Sequence, residues 1–196
     1  MGRRIGRAKC GVYAFYDYDR EPIYVGQTVE SLSGRVGRHL TGRRSDAVGK
    51  FVLDPFEVLE IEVWPLFEYE ILPKDQRKAA VNAVEYTVFE QARSESRFGA
   101  VLNEGAIPPT DVVDLAEPYA GRIVPRDLYE ERKHADVRIA RRAQTIASLA
   151  RLISERKVGR ALREVLHVQT QRLNWLAQQR LGDFASQPVE LVEDDE

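Results

Sequence analysis

Residues 11–28 read GVYAFYDYDREPIYVGQT, and this stretch restricts the fold more than any other in the chain. Aromatic and β-branched residues form two short runs on either side of a polar segment that carries a proline, the pattern of a β-hairpin. Along an extended chain, Val12, Ala14, Tyr16 and Tyr18 fall on one face, and Tyr13, Phe15 and Asp17 on the other. The hairpin by itself implies no chemistry, because aromatic residues on strands most often serve packing.

The elements after it follow from periodicity and punctuation. Ser31 to Leu40 predicts a short helix capped by the serine, with Leu32, Val36 and Leu40 as its apolar positions. Thr41 to Gly49 reads as a basic loop. Phe56 to Phe67 alternates apolar and acidic residues and predicts a strand containing Val58, Ile61 and Val63, near an edge or ending at Pro65. Asp75 to about Glu95 predicts a helix capped by Asp75, on which Val81, Val84, Val88 and Ala92 repeat at helical spacing. Glu85 stands beside that stripe. An unpaired buried carboxylate is costly, so this position calls for a cation, a strong donor or a cleft, or for a boundary side chain that reaches water. From Leu128 to Leu181 the chain returns to helix. Ile139, Ala143, Ile146, Ala150 and Ile153 form a near-heptad series that Val158, Leu162, Val165, Leu173 and Leu176 resume after Gly159, so a turn near Glu155 to Gly159 would make a helical hairpin.

Composition narrows the function classes. The single cysteine, Cys10, excludes a disulfide framework and multi-cysteine zinc sites. The apolar runs are too short for a membrane span, and Met1-Gly2-Arg3-Arg4 leads into no signal-like apolar core, so the reading is a cytosolic protein without a membrane partner. The net charge of -2 conceals segregation. Lys and Arg exceed Asp and Glu over residues 1–50 and 128–182, whereas acids dominate 51–127 and the tail from Asp183. Phosphate binding depends on local potential, so a DNA partner stays open, as does the reading of these blocks as solvated faces.

Hydrolysis of a phosphodiester needs a group that deprotonates or positions water, and positive charge for the transition state. The chain offers Tyr13 and Tyr24 on the hairpin, Arg35 and His39 at i and i+4 on the first helix, and Glu85 on the second. Gly11-Val12-Tyr13, Tyr24-Val25-Gly26, Arg35 with His39, Glu85 and Asn103, in that order over about the first 110 residues, resemble the GIY-YIG nuclease family. The resemblance implies an α+β fold, a small three-stranded antiparallel sheet flanked by helices, with one divalent metal, Mg²⁺ or Mn²⁺. By position, Glu85 would be the metal ligand, Tyr13 the general base or the residue that positions the water, and Arg35 the holder of the scissile phosphate. His39 would assist proton transfer or bond to Tyr13, Tyr24 would place its hydroxyl at the same phosphate, and Asn103 would hold the active-site loop. Val12 and Val25 replace the isoleucines of the family name, and Gln27 stands where many relatives carry lysine, which argues against a lysine-assisted mechanism.

The expected organisation is a nuclease domain over 1–112, a linker over 113–127, a helical extension over 128–182 for DNA binding or dimerisation, and a disordered acidic tail over 183–196. With no zinc motifs or long linker of the homing type, the layout looks most like the GIY-YIG type II restriction endonucleases, acting on double-stranded DNA. Arg43 and Arg44 would approach DNA near the site, and Arg138, Arg141, Arg142, Arg156, Lys157, Arg160 and Arg163 would track phosphates. The apolar stripe of the same helices would equally serve a homodimer. A structure-specific, mobile-element or repair nickase and a non-catalytic DNA-binding protein remain alternatives.

Overall fold

In a computed structural model the described residues are 4–41, 53–103 and 105–185. The hairpin forms as expected: β1 (Gly11–Tyr16) pairs antiparallel with β2 (Pro22–Thr28), with a bulge at Phe15/Tyr16. Helix α1 (Leu32–Leu40) follows at once, and the Ser31 hydroxyl caps it by accepting from the Gly34 N–H at 3.2 Å. A 3₁₀ turn at Pro55–Glu57 precedes β3 (Glu60–Pro65), so Val58 lies before the strand, and Pro65 ends it. β3 is no edge, however. The sheet order is β2-β1-β3-β4, and β4 (Tyr119–Arg122) adds a fourth antiparallel strand from inside the stretch expected to be a linker. This strand escapes sequence reading because it is four exposed residues, Tyr-Ala-Gly-Arg, with no apolar alternation to betray it.

Helix α2 (Lys74–Glu95) carries the expected stripe, with Val81, Val84, Val88 and Ala92 all buried. Its N-cap is Pro73 rather than Asp75, which sits in the first turn where a carboxylate favours the helix dipole. Residues at alternating positions of β1 divide between two cores, as the hairpin pattern requires. Val12, Ala14 and Tyr16 meet α2, whereas Tyr13 and Phe15 join a cluster with α1 and the C-terminal helices. Those helices are α3 (Arg126–Lys133), α4 (Ala135–Glu155) and α5 (Arg160–Ala185), with the α4–α5 turn where Glu155 to Gly159 called for one. Leu149, Leu152, Leu162 and Val165 bury against the Phe15 side of the sheet. Of the apolar positions that suggested a dimer, Leu162 and Val165 are buried in this core. No described helix is long and apolar enough to cross a membrane.

The buried stripe of α4 is rotated from the expected one. Ile139, Ile146 and Ile153 are half-buried and Ala143 and Ala150 exposed, while the fully buried positions are Arg138, Arg142, Leu149 and Leu152. Two of the inward positions are arginines, which a hydrophobicity pattern assigns to solvent.

Candidate active site

Register brings the site together. Tyr13 on β1 lies directly opposite Gly26 on β2, and a Cβ at Gly26 would stand 2.6 Å from the Tyr13 hydroxyl and 2.6 Å from the Tyr24 ring. No side chain fits there, so the glycine is what lets both tyrosines lie over the strand. Gly11 has a similar role at the other end of the pair: a Cβ there would sit 2.9 Å from the Trp64 carbonyl oxygen and 3.0 Å from Leu32, closing off the start of α1.

Tyr13, Tyr24 and His39 form one aromatic cluster. The Tyr24 and His39 rings are 4.8 Å apart, Tyr13 and His39 5.7 Å, and Tyr13 and Tyr24 6.2 Å. All three side chains are buried. The Tyr13 hydroxyl has no hydrogen-bond partner of good geometry among the described residues. Burial and the neighbouring Tyr24 raise its pKa, and the Arg35 guanidinium opposes them. Glu85 lies half-buried on α2, and burial pushes its pKa up to about 7 while Arg35 again pulls it down. Arg35 therefore acts on both the phenol and the carboxylate. One helical turn before Glu85, Asn82 accepts a hydrogen bond from the Gln27 amide at 3.2 Å, which ties α2 to β2 beside Gly26.

Asn103 uses its whole amide on one residue. Its Oδ1 accepts from the Val25 N–H at 3.0 Å and its Nδ2 donates to the Val25 carbonyl at 2.8 Å. With the Leu102 N–H donating to the Ile23 carbonyl at 3.1 Å, the 102–103 segment extends the sheet along the free edge of β2 and holds Tyr24 and Gly26 between pinned neighbours.

The predicted phosphate-tracking residues separate into three groups. Arg43 and Arg44 lie outside the described residues. Arg156, Lys157, Arg160 and Arg163 are exposed, with Arg160 paired to Glu164 at 2.6 Å. Arg138 and Arg142 are buried, which corrects their assignment to DNA. Arg138 meets Asp19 at 2.6 Å and Glu57 at 3.3 Å, and Arg142 meets Asp17 at 3.2 Å and Glu57 at 3.1 Å. Arg141 reaches Glu57 at 2.6 Å and is only partly accessible. Carboxylates of the hairpin turn and of the 3₁₀ turn already hold these guanidinium groups, so a phosphate would have to displace buried ion pairs.

Sequence reading missed Arg172, Asp17, Glu21 and Glu57. Arg172 on α5 is buried and donates to the carbonyls of Pro22 at 3.0 Å and Ala100 at 3.2 Å, which joins α5 to the start of β2 and to the segment leading to Asn103. Glu21 in turn accepts from the Ser96 hydroxyl at 2.7 Å and the Arg97 N–H at 3.0 Å. The signal was present in DYDRE, three acids in five residues of a turn, in a chain whose C-terminal helices are rich in arginine, but charge alone does not say which partner it meets.

No curated protein and no solved structure matches the chain. The family described as GIY-YIG catalytic domain matches residues 9–97, the segment that contains Tyr13, Tyr24, Arg35, His39 and Glu85, and this match supports the GIY-YIG nuclease family for that part of the chain.

Proposed function

We propose that this chain is a divalent-metal-dependent endonuclease of the type II restriction kind, which hydrolyses phosphodiester bonds in double-stranded DNA at a preferred sequence. The supporting observation is the packing of Tyr13, Tyr24 and His39 into one aromatic cluster, with both tyrosines over Gly26 and Arg35 acting electrostatically on both Tyr13 and Glu85. Glu85 fits a Mg²⁺ or Mn²⁺ ligand. Burial disfavours its charge, a cation would restore it, and Mg²⁺ typically takes one or two protein carboxylates and completes its shell with phosphate and water. Among the described residues no three His, Cys, Asp or Glu side chains form a ready cage, which suits that sparse mode. The ion, when bound, supplies Lewis-acid stabilisation of charge on the phosphate.

The chain's own residues do the rest. Arg35 presents a guanidinium fork to the phosphate oxygens. Tyr24 places its hydroxyl at the same phosphate. The Tyr13 phenol orients the attacking water; as a base it depends on Arg35, because burial makes it hold its proton above the ordinary phenol range. His39, packed against both tyrosines, bonds to Tyr13 or carries the proton away. Asn103 keeps Tyr24 and Gly26 in register.

The test is incubation with unmethylated phage DNA and supercoiled plasmid, in Mg²⁺ or EDTA, beside Glu85→Ala. Discrete Mg²⁺-dependent fragments are expected from the wild type and none from the variant. Nicked circles or a smear would remove the restriction part of the reading, and cleavage by Glu85→Ala at the wild-type rate would remove the mechanism.

A further inference from the structure

Helix α5 has a surface unlike the rest of the chain. Charged residues make up 31% of the sequence, yet from Val165 to Gln179 the only one is Arg172, and its side chain is buried. The exposed face of this stretch is made instead of His167, Thr170, Gln171, Asn174 and Gln178. At 100° per residue, His167, Gln171, Asn174 and Gln178 fall within a band of about 60°. Solvated helix faces are ordinarily charged, as on α3, where Asp127, Glu130, Glu131 and Lys133 are all exposed. A row of neutral side chains that both donate and accept hydrogen bonds is a different kind of surface.

Its position adds a second observation. A cleft of about 740 Å³ runs between α5 and α2, with residues 98–101, 103 and 105–107 along its floor. His167 and Gln171 line one wall, Tyr86 and Phe89 the other, and Asn103 lies at the floor. Tyr86 follows Glu85 in α2, and Asn103 is bonded to Val25 between Tyr24 and Gly26. Asn103 is thus shared between the cleft and the strand edge that carries Tyr24 and Gly26. At the N-terminal end of α5, beside the neutral band, stand the exposed Arg163 and Arg160, the latter paired to Glu164 at 2.6 Å.

We propose that the exposed face of α5 reads base edges of duplex DNA in the major groove, with Gln171 and Asn174 as specificity-determining residues. The proposal rests on the DNA-cleaving reading above. Glutamine and asparagine amides pair bidentately with adenine N6 and N7, and a single helix fits the major groove. The neutrality of the band suits this use, since phosphate contacts position a protein on DNA without carrying sequence information. Arg160 and Arg163 stand where the backbone would pass.

The experiment is selection by binding from a library of randomised duplexes, using full-length Glu85→Ala protein so that cleavage plays no part. Gln171→Ala and Asn174→Ala are each made in that background, and Gln144→Ala, an exposed amide on α4, serves as control. The parent is expected to enrich a motif. Each α5 variant should lose discrimination at one or two positions by roughly 5- to 100-fold, the span of one base contact, while the control keeps the motif. Circular dichroism confirms that the variants fold. No enriched motif in the parent, or a motif unchanged in both α5 variants, would overturn the proposal. Failure of the wild-type chain to cut DNA in the plasmid assay would instead count against the nuclease reading, which this selection does not depend on.

Discussion

Glu85 and Gly26 carry the sharpest predictions at the residue scale. The Glu85 pKa is raised from 4.5 to about 7, so between these values the folded chain keeps a proton that the unfolded chain has given up. Stability therefore falls as pH rises through that window, and the full deficit is present above it. Glu85→Gln should be more stable than wild type at about pH 8, by about 1–3 kcal/mol in denaturant titration, and match it near pH 4.5. Cleavage should rise with pH until the carboxylate is ionised and then level off, with Glu85→Gln slower by roughly 10²- to 10³-fold or more. An added methyl at Gly26 meets the Tyr13 hydroxyl and the Tyr24 ring on a strand that cannot retreat. Gly26→Ala should cost about 1–3 kcal/mol in chemical denaturation and abolish plasmid cleavage while the far-UV spectrum stays intact. The glycine was legible in the sequence as part of a motif; its reason was not, because only strand register sets Tyr13 opposite it.

At the element scale, α1 and α2 were readable because their signals are local. A serine cap bonds three residues away, and the α2 stripe repeats within the helix itself. The 102–103 segment was not readable as an addition to the sheet, since Leu102 and Asn103 pair with residues far away in the sequence. Asn103→Ala removes two hydrogen bonds at 2.8 and 3.0 Å and leaves the Val25 peptide on an open edge. The expected result is faster hydrogen exchange at the Val25 N–H, a loss of about 1–3 kcal/mol, and a lower kcat with a smaller change in KM. β4 shows the same limit from the other side. Its residues carry no strand pattern, and it forms because β3 presents an unpaired edge beside it.

The whole molecule is held by charge as well as by apolar burial. Arg138, Arg141, Arg142 and Arg172 reach from α4 and α5 to Asp17, Asp19, Glu21, Glu57 and the Pro22 carbonyl, so the C-terminal helices are fastened to the same hairpin that carries Tyr13 and Tyr24. Asp17 and Glu57 are buried, and losing a cation leaves their charge without compensation. Arg142→Met should destabilise the protein by about 3–5 kcal/mol, measured by denaturant titration. It should leave the salt dependence of DNA binding unaltered, whereas a lost phosphate contact would lower the slope of log K against log salt by about 0.9.

Local and short-range patterns were enough to determine the hairpin, the capped first helix, the valine stripe of α2, the turn between α4 and α5, and the order of the residues that resemble a GIY-YIG site. Each of these rests on side chains close together in the chain, where periodicity and turn chemistry speak directly. The tertiary structure alone decided the fourth strand, the rotation of the α4 stripe, and which arginines are held by internal carboxylates. An arginine looks the same in a sequence whether it faces phosphate or an internal carboxylate. The choice follows from which distant acids the fold brings to it, and burial then makes the pairing obligatory.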